Sequence, residues 1–157
     1  MGRSDIALRP QHTDITNGHK RRRDDASQYA QRLVEAVKPR CVILFGSVAK
    51  GTDGERSDLD LVVIGGDLPE NVFERIAKVN GLTRGLRTPA DIFPYTETEF
   101  EHMLDNLHVT ALDCMLEGKP LYGTDAFNRL RSKFEEFVAR GLRRGKAAWY
   151  FDKKIPA

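Results

Sequence analysis

Apolar residues follow two different periods along the chain, and the shorter period predicts strands. CVILF (41–45) and LDLVVI (59–64) are β-branched and apolar on both faces, which is typical of inner strands covered by helices. TPADIFPYT (88–96) predicts a third strand. Because Pro94 has no N–H to donate, we expect this strand to lie at a sheet edge or to end early. KPLYG (119–123) predicts a further short extended piece.

Helical periodicity fills the segments before and between these strands. A first helix is predicted to begin at Asp24 or Asp25, either of which can cap it, and to stop at Pro39. A second helix is predicted within PENVFERIAKVNG (69–81). The apolar positions expected to line these two helices are Ala30, Leu33, Val34 and Val37 in the first, and Val72, Phe73, Ile76 and Val79 or Asn80 in the second.

The second half of the chain is predicted to be mainly helical. Thr96 and Glu99 have the spacing of a capping box, so a helix is expected to follow them. VTALDCMLEG (109–118) predicts a turn or helix, and a long amphipathic helix is predicted to begin at Thr124 and to break near Gly141 or Gly145. The inward positions are Phe100, Met103 and Leu104 in the first of these helices, and Phe127, Leu130, Phe134, Phe137 and Val138 in the last.

Size and composition predict one water-soluble domain with short extensions. The chain has 157 residues, of which 40% are hydrophobic and 31% charged. Residues 1–24 have few large apolar side chains and predict a flexible N-terminal arm, 25–123 the folded domain, and 124–157 a C-terminal helical extension. No apolar run approaches the roughly 18 residues of a membrane span, and no secretory signal is visible, so we expect a cytoplasmic protein that does not associate with membranes.

Charge is segregated along the chain. Lys plus Arg minus Asp plus Glu is 9 − 5 = +4 over 1–40, 7 − 15 = −8 over 41–128 and 9 − 3 = +6 over 129–157. An acidic middle suits a site that gathers cations, and basic ends suit either an anionic partner or solvated helix surfaces. The tail RRGKAAWYFDKK (143–154) suits either nucleic-acid binding or packing of its aromatic residues on the domain or in a dimer.

The two cysteines do not suggest a metal site. Cys41 and Cys114 lie in apolar surroundings, without a CxxC motif or histidines at ligand spacing. Both are predicted to be small buried hydrophobes. A zinc site is therefore not expected.

The candidate catalytic and ligand-binding residues are concentrated in the stretch LFGSVAKGTDGERSDLDLVVIG (44–65). Side chains alternate along a strand, so Asp58 and Asp60 point to the same face about 6 Å apart. At an effective dielectric of 20 two such carboxylates repel by roughly 3 kcal/mol. Either one carboxylate takes up a proton or a cation lies between them, and oxygen ligands favour Mg²⁺ or Mn²⁺.

The other half of this stretch suits a phosphate. Gly46 permits a close backbone approach, and Ser47 offers a hydroxyl and an amide where a short helix can begin. A Walker loop needs a lysine after its last glycine, and here Gly51 is followed by Thr52. The stretch is therefore not a Walker loop.

Gly-Ser, ten intervening residues and then Asp-Leu-Asp, within FGS…SDLDL, resemble the signature of the nucleotidyltransferase superfamily that includes DNA polymerase β. More narrowly, residues 28–123 resemble the minimal nucleotidyltransferases, which often pair with HEPN-type toxins. The resemblance implies an α/β (α+β) fold in which helices pack on a mixed central sheet. It also implies a third acid on a neighbouring strand, and Asp91 in ADIFPY lies at the expected place.

The same resemblance implies a reaction and a set of roles. A nucleotidyl group, most often AMP from ATP, would pass to an acceptor hydroxyl with release of pyrophosphate, and two Mg²⁺ ions, or Mn²⁺, would assist. The metal-binding and catalytic residues implied are Asp58, Asp60 and Asp91, and the nucleotide-binding residues are Gly46, Ser47, Lys50 and Arg56.

The acceptor stays open at this point. One hypothesis is a HEPN-type toxin modified by its antitoxin, and another is a small molecule such as an aminoglycoside, or RNA. A third is a non-catalytic module that binds its partner. Nucleic-acid binding through the basic tail and homo-oligomerisation are both compatible with the sequence.

Overall fold

The predicted strands assemble into a sheet in a computed structural model, which describes residues 10–153, with side chains from residue 17 onward. The helices are α1 Pro10–Val37, α2 Gly46–Lys50, α3 Val72–Asn80, α4 Glu97–Asp105, α5 Val109–Glu117 and α6 Thr124–Ala139, with a 3₁₀ turn at Gly81–Thr83. The strands are β1 Cys41–Phe45, β2 Leu59–Ile64, β3 Ala90–Tyr95, β4 Lys119–Tyr122, β5 Leu142–Arg144 and β6 Trp149–Phe151.

Four strands form a mixed sheet in the order β3-β2-β1-β4. β1 runs antiparallel to both of its neighbours, whereas β2 and β3 are parallel because α3 crosses over between them. The two apolar runs are therefore the inner strands, as their composition predicts. Pro94 lies in β3 at the sheet edge, which confirms that expectation.

Alternate residues of the inner strands belong to two apolar cores, one on each face of the sheet. Val42 and Leu61 pack with residues of α1, α2 and α3, and Ile43 and Val62 pack with residues of α4, α5 and α6. Both cysteines are free and buried in the second core, as predicted. Burial raises the pKa of Cys41 to about 12, so this thiol stays protonated and unreactive.

The first helix is longer than predicted. α1 begins at Pro10, so the flexible arm expected over 1–24 is wrong for residues 10–24, as is the expected cap at Asp24 or Asp25. Residues 1–9 lie outside the described part of the chain. The physical reason is that Asp25 and its neighbours have partners distant in sequence: Asp25 accepts hydrogen bonds from the Thr88 amide at 3.1 Å and hydroxyl at 2.6 Å.

The predicted apolar face of α3 points largely to solvent. Its exposed residues are Val72 (53%), Phe73 (82%) and Ile76 (42%). Arg75 is buried instead, because its guanidinium donates to the Pro69 carbonyl at 2.9 Å and to the Glu99 carboxylate at 2.7 Å. Glu99 also completes the predicted capping box with Thr96.

The C-terminal segment is only partly helical. α6 ends at Ala139, and β5 and β6 form an antiparallel hairpin, so the helical extension expected over 124–157 is wrong for residues 140–153. Trp149 donates to Asp113 at 2.9 Å and packs edge-on against Phe134. The hairpin therefore packs back on the domain, one of the two alternatives for the tail. Residues 154–157 lie outside the described chain.

None of the helices found between residues 10 and 153 combines the length and the apolar character that crossing a membrane requires.

Candidate active site

The turn between β1 and α2 is the first part of the site. Gly46 has φ +78°, a left-handed conformation that favours glycine. A Cβ atom at this position would collide with Oδ2 of Asp60. The turn therefore needs glycine both for its backbone conformation and for the space that the carboxylate occupies.

The serine after this glycine anchors the loop over residues 51–58. The Ser47 hydroxyl donates to the Ser57 hydroxyl at 3.3 Å, and the Ser57 oxygen also accepts from the Gly54 amide at 2.8 Å. The Ser47 carbonyl accepts from the Thr52 amide at 3.0 Å. Because Ser57 directly precedes Asp58, these bonds connect the glycine-serine turn to the first acid.

The sheet brings the three acids together. Asp60 in β2 and Asp91 in β3 are register partners in the parallel pair, so their side chains leave the same face of strands about 4.8 Å apart. Asp58 directly precedes β2 and lies two residues before Asp60. Burial raises the pKa of Asp60, and the charges of Asp91 and then Asp58 raise it further.

The donor chemistry of these acids fits a divalent cation. In the side chains described, residues 17–153, no three or more His, Cys, Asp or Glu groups stand in a ready-made metal-binding arrangement. Burial is the main cause that raises the pKa of Asp60, but Asp91 and Asp58 also lie close enough for their charges to raise it. A cation that binds among them relieves this repulsion, and hard oxygen donors are those that Mg²⁺ prefers.

The two predicted phosphate-neutralising residues lie in different places. Lys50 Nζ is 3.7 Å from the carboxylate of Glu117 in α5, so this lysine already has a counter-charge. Arg56 is exposed on the loop and lines a cleft of about 300 Å³ together with Asp58. Arg56, unlike Lys50, therefore lies beside an acid of the site, and Arg56 itself has no ion-pair partner among residues 17–153.

A buried ion pair that the sequence pattern did not indicate holds the same loop. Arg22 of α1 and Asp53 of the loop are ion-paired and almost fully buried, with side-chain exposures of 2% and 1%. His19 Nδ1 is 2.8 Å from the same carboxylate. Burial acts to raise the pKa of Asp53, but the hydrogen bonds from Arg22 and His19 outweigh it and hold the pKa below its usual value. No signal revealed this pair, because residues 1–24 show no apolar periodicity.

Comparison with known proteins identifies the class. Residues 26–116, more than half of the chain, match the family described as nucleotidyltransferase domain. The chain therefore belongs to this family, and it is a nucleotidyltransferase. Comparison with curated protein sequences gave no match.

Solved structures with the same fold include toxin–antitoxin proteins. One is a toxin–antitoxin structure with AMP-PNP, 21% identical, with a TM-score of 0.54 over 72% of this chain and 86% of that chain. Another is a mutant of the toxin–antitoxin MntA-HpeT, 17% identical, with a TM-score of 0.52 over 72% of this chain and 85% of that chain. At these identities the likeness shows the shared fold, which confirms the mixed α/β architecture.

Proposed function

We propose that the protein transfers AMP from ATP to an acceptor hydroxyl in a Mg²⁺-dependent reaction. The observation that carries the proposal is the register of β2 and β3, which sets Asp91 beside Asp60, and the charge of Asp58 acts on Asp60 as well. The glycine-serine turn adjoins these acids, because Gly46 leaves the space into which the Asp60 carboxylate projects.

The proposal assigns some residues to binding the triphosphate and others to the metal ions. Ser47 and the backbone at Gly46 hold the β and γ phosphates, and Arg56 offsets triphosphate charge. Asp58, Asp60 and Asp91 would hold the divalent ions. Such ions, when bound, stabilise the attacking and leaving oxygens of an in-line displacement. The acceptor oxygen bonds to the α-phosphorus, the bond to the β-phosphate oxygen breaks, pyrophosphate leaves, and the hydroxyl proton passes to solvent.

The acceptor we propose is a hydroxyl side chain of a partner protein of the HEPN toxin type. The support is the shared fold with toxin–antitoxin proteins, one of which is a structure with AMP-PNP. RNA is a second candidate, since Arg56 lies beside Asp58 without a counter-charge among residues 17–153.

Label transfer tests the proposal. The purified protein is incubated with Mg²⁺ and each α-labelled nucleoside triphosphate, with and without extract of its own cell type, and the products are separated as protein and RNA. We expect a labelled protein band with α-labelled ATP, and no label in any macromolecule with γ-labelled ATP, because the γ phosphate leaves with pyrophosphate.

The controls separate the parts of the proposal. Chelation by EDTA should abolish transfer, and transfer that persists in EDTA would contradict the metal dependence. Incorporation of the γ label would indicate a kinase instead. If only RNA were labelled, RNA would be the acceptor instead of a partner protein.

A further inference from the structure

One face of α1 carries buried polar side chains. Arg22, Asp25 and Tyr29 are spaced three and four residues apart, so they share a face of the helix. Their exposures are 2%, 7% and 1%, and arginine and aspartate are rarely buried to this extent unless they have a partner. Arg22 pairs with Asp53, in the loop that precedes Asp58 and β2. This face of α1 therefore makes specific polar contacts with segments that lead into the sheet.

Thr88, in the segment before β3, is bound to this face through three of its groups. Asp25 accepts hydrogen bonds from the Thr88 amide at 3.1 Å and from its hydroxyl at 2.6 Å. The Tyr29 hydroxyl donates to the Thr88 carbonyl at 2.8 Å. Thr88 is buried, and Asp91 follows three residues later. α1 therefore fixes both the backbone and the side chain of the residue from which the chain enters β3.

The same segment is hydrogen-bonded to the strand that carries the other acids. The Leu59 amide donates to the Pro89 carbonyl at 2.9 Å. Leu59 lies between Asp58 and Asp60, and Pro89 directly follows Thr88. A displacement of Thr88 would therefore change how β3 begins beside β2, at the level of the acids.

β3 depends on such support because it is an edge strand. In the sheet of the described residues it pairs with β2 on one side only, and Asp91 is its second residue. The ends of such elements open at little cost in free energy. A ligand cluster, by contrast, has to be held within about 0.5 Å of its productive geometry. The bonds from α1 to Thr88 restrain the end of β3 at which the acid lies.

We propose that Asp25 and Tyr29 are positioning residues, which hold Thr88 so that Asp91 stays beside Asp60 in the arrangement that binds divalent ions. This inference rests on the proposed transfer reaction and adds residues of α1 to it. Loss of an outer-shell partner typically lowers metal affinity or activity by about 10- to 100-fold. A purely structural role would lower the stability of the protein without that change in metal affinity.

Substitutions at the two ends of β3 test the proposal. Thr88→Val removes the hydroxyl that binds Asp25 and keeps the shape of the side chain, whereas Thr88→Ser keeps this hydroxyl. The matched control, Thr96→Val, removes the hydroxyl that caps α4 just beyond the other end of β3. Tyr29→Phe removes the second contact from the α1 side. Urea unfolding measures the stability of all four variants.

Two measurements follow metal binding and transfer separately. Isothermal titration calorimetry with Mn²⁺ and α,β-methylene-ATP, whose bridge between the α and β phosphates is not cleaved, gives the Kd of the metal–nucleotide complex. Transfer of α-labelled AMP at fixed ATP and a series of Mg²⁺ concentrations, with cell extract as the source of acceptor, gives the half-saturating Mg²⁺ concentration and the maximal rate.

We expect Thr88→Val to raise both the Kd and the half-saturating Mg²⁺ concentration by at least about tenfold, and Tyr29→Phe to raise them in the same direction. Thr88→Ser should stay close to the wild type in both measurements, because it keeps the bond to Asp25. Thr96→Val should lose stability with its helix cap but stay within about twofold of the wild type in both measurements.

Two results would overturn the inference alone. One is a Thr88→Val variant that loses no more metal affinity than Thr96→Val, and the other is a Thr88→Ser variant as impaired as Thr88→Val. If Thr88→Val does not fold, Tyr29→Phe decides, and wild-type metal affinity in that variant would overturn the inference. A wild type that neither binds the metal–nucleotide complex nor transfers AMP would overturn the proposed function itself, and the inference with it.

Discussion

Substitution of Arg22 by Met should destabilise the protein strongly, because it leaves a buried carboxylate without its main partner. Arg22 and Asp53 have side-chain exposures of 2% and 1%. After the substitution the remaining side-chain partner of Asp53 is His19, whose Nδ1 atom is 2.8 Å away and whose side chain is 24% exposed. A buried negative charge with a single partner is unfavourable.

The expected loss lies at the lower end of the range for buried pairs. Removing one partner of such a pair typically costs about 3–5 kcal/mol of the free energy of unfolding. Two observations lower the figure here: His19 still binds Asp53, and Arg22 Nη1 and Asp53 Oδ1 already lack partners in the described chain. We therefore expect a loss of about 3 kcal/mol, which corresponds to a fall in Tm of roughly 6–12 °C for a chain of this size.

Urea unfolding at pH 7, followed by circular dichroism, measures this loss. The matched control is Arg40→Met, which breaks the pair between Arg40 and Glu97 at 2.7 Å, whose side chains are 65% and 48% exposed. This exposed pair should contribute less than about 1 kcal/mol. The double variant Arg22→Met/Asp53→Leu should recover most of the loss, because no charge is then left buried.

Acidification gives an independent check on the same pair. The pKa of Asp53 is lowered in the folded protein, so its contribution is present above its unfolded pKa of about 3.9 and is lost as the pH falls through the folded value. The difference between wild type and Arg22→Met should therefore shrink in acid. A loss below about 1 kcal/mol at pH 7, or a double variant as unstable as the sum of both single ones, would refute the reasoning.

Two further predictions concern backbone conformation and pH. Gly46→Ala and Gly51→Ala should each lower the free energy of unfolding in urea by about 1 kcal/mol, because φ is +78° and +76° at these positions. Only Gly46→Ala should abolish label transfer, because only at residue 46 does an added Cβ atom meet Asp60. Equal transfer activity of the two variants would contradict this prediction. The hydrogen bond from Arg75 holds the pKa of Glu99 below its usual value. This pair therefore contributes stability above the unfolded pKa of about 4.3, and the free energy of unfolding should fall more steeply with acid in the wild type than in Glu99→Gln. Parallel curves of stability against pH would contradict the pairing.

The strands and most helices were predictable because their signals are local. A run that is apolar on both faces, such as CVILF, has few alternatives to an inner strand, and the Thr96–Glu99 capping box specifies its own helix end. The pairing of Asp60 with Asp91 is of a different kind, because it depends on the register of β3 against β2. The family resemblance suggested this neighbour, and periodicity alone did not.

The errors share a physical cause, which is polar side chains stabilised by distant partners. Residues 10–24 lack apolar periodicity, yet they are helical in a region where Arg22 is buried against Asp53, 31 positions away. The apolar face predicted for α3 is exposed because Arg75 occupies the buried position with Glu99 as its partner. The spacing of residues along the sequence does not predict such long-range ion pairs.

The central claim is tested most directly by transfer of α-labelled AMP with Asp60→Asn and Asp91→Asn. The control is Asp67→Asn, which changes an exposed acid just beyond the opposite end of β2. All three variants should unfold cooperatively, and the first two should lose transfer by at least about a hundredfold while the control keeps the wild-type rate. Wild-type transfer by either Asp60→Asn or Asp91→Asn would contradict the assignment of this carboxylate cluster as the catalytic centre.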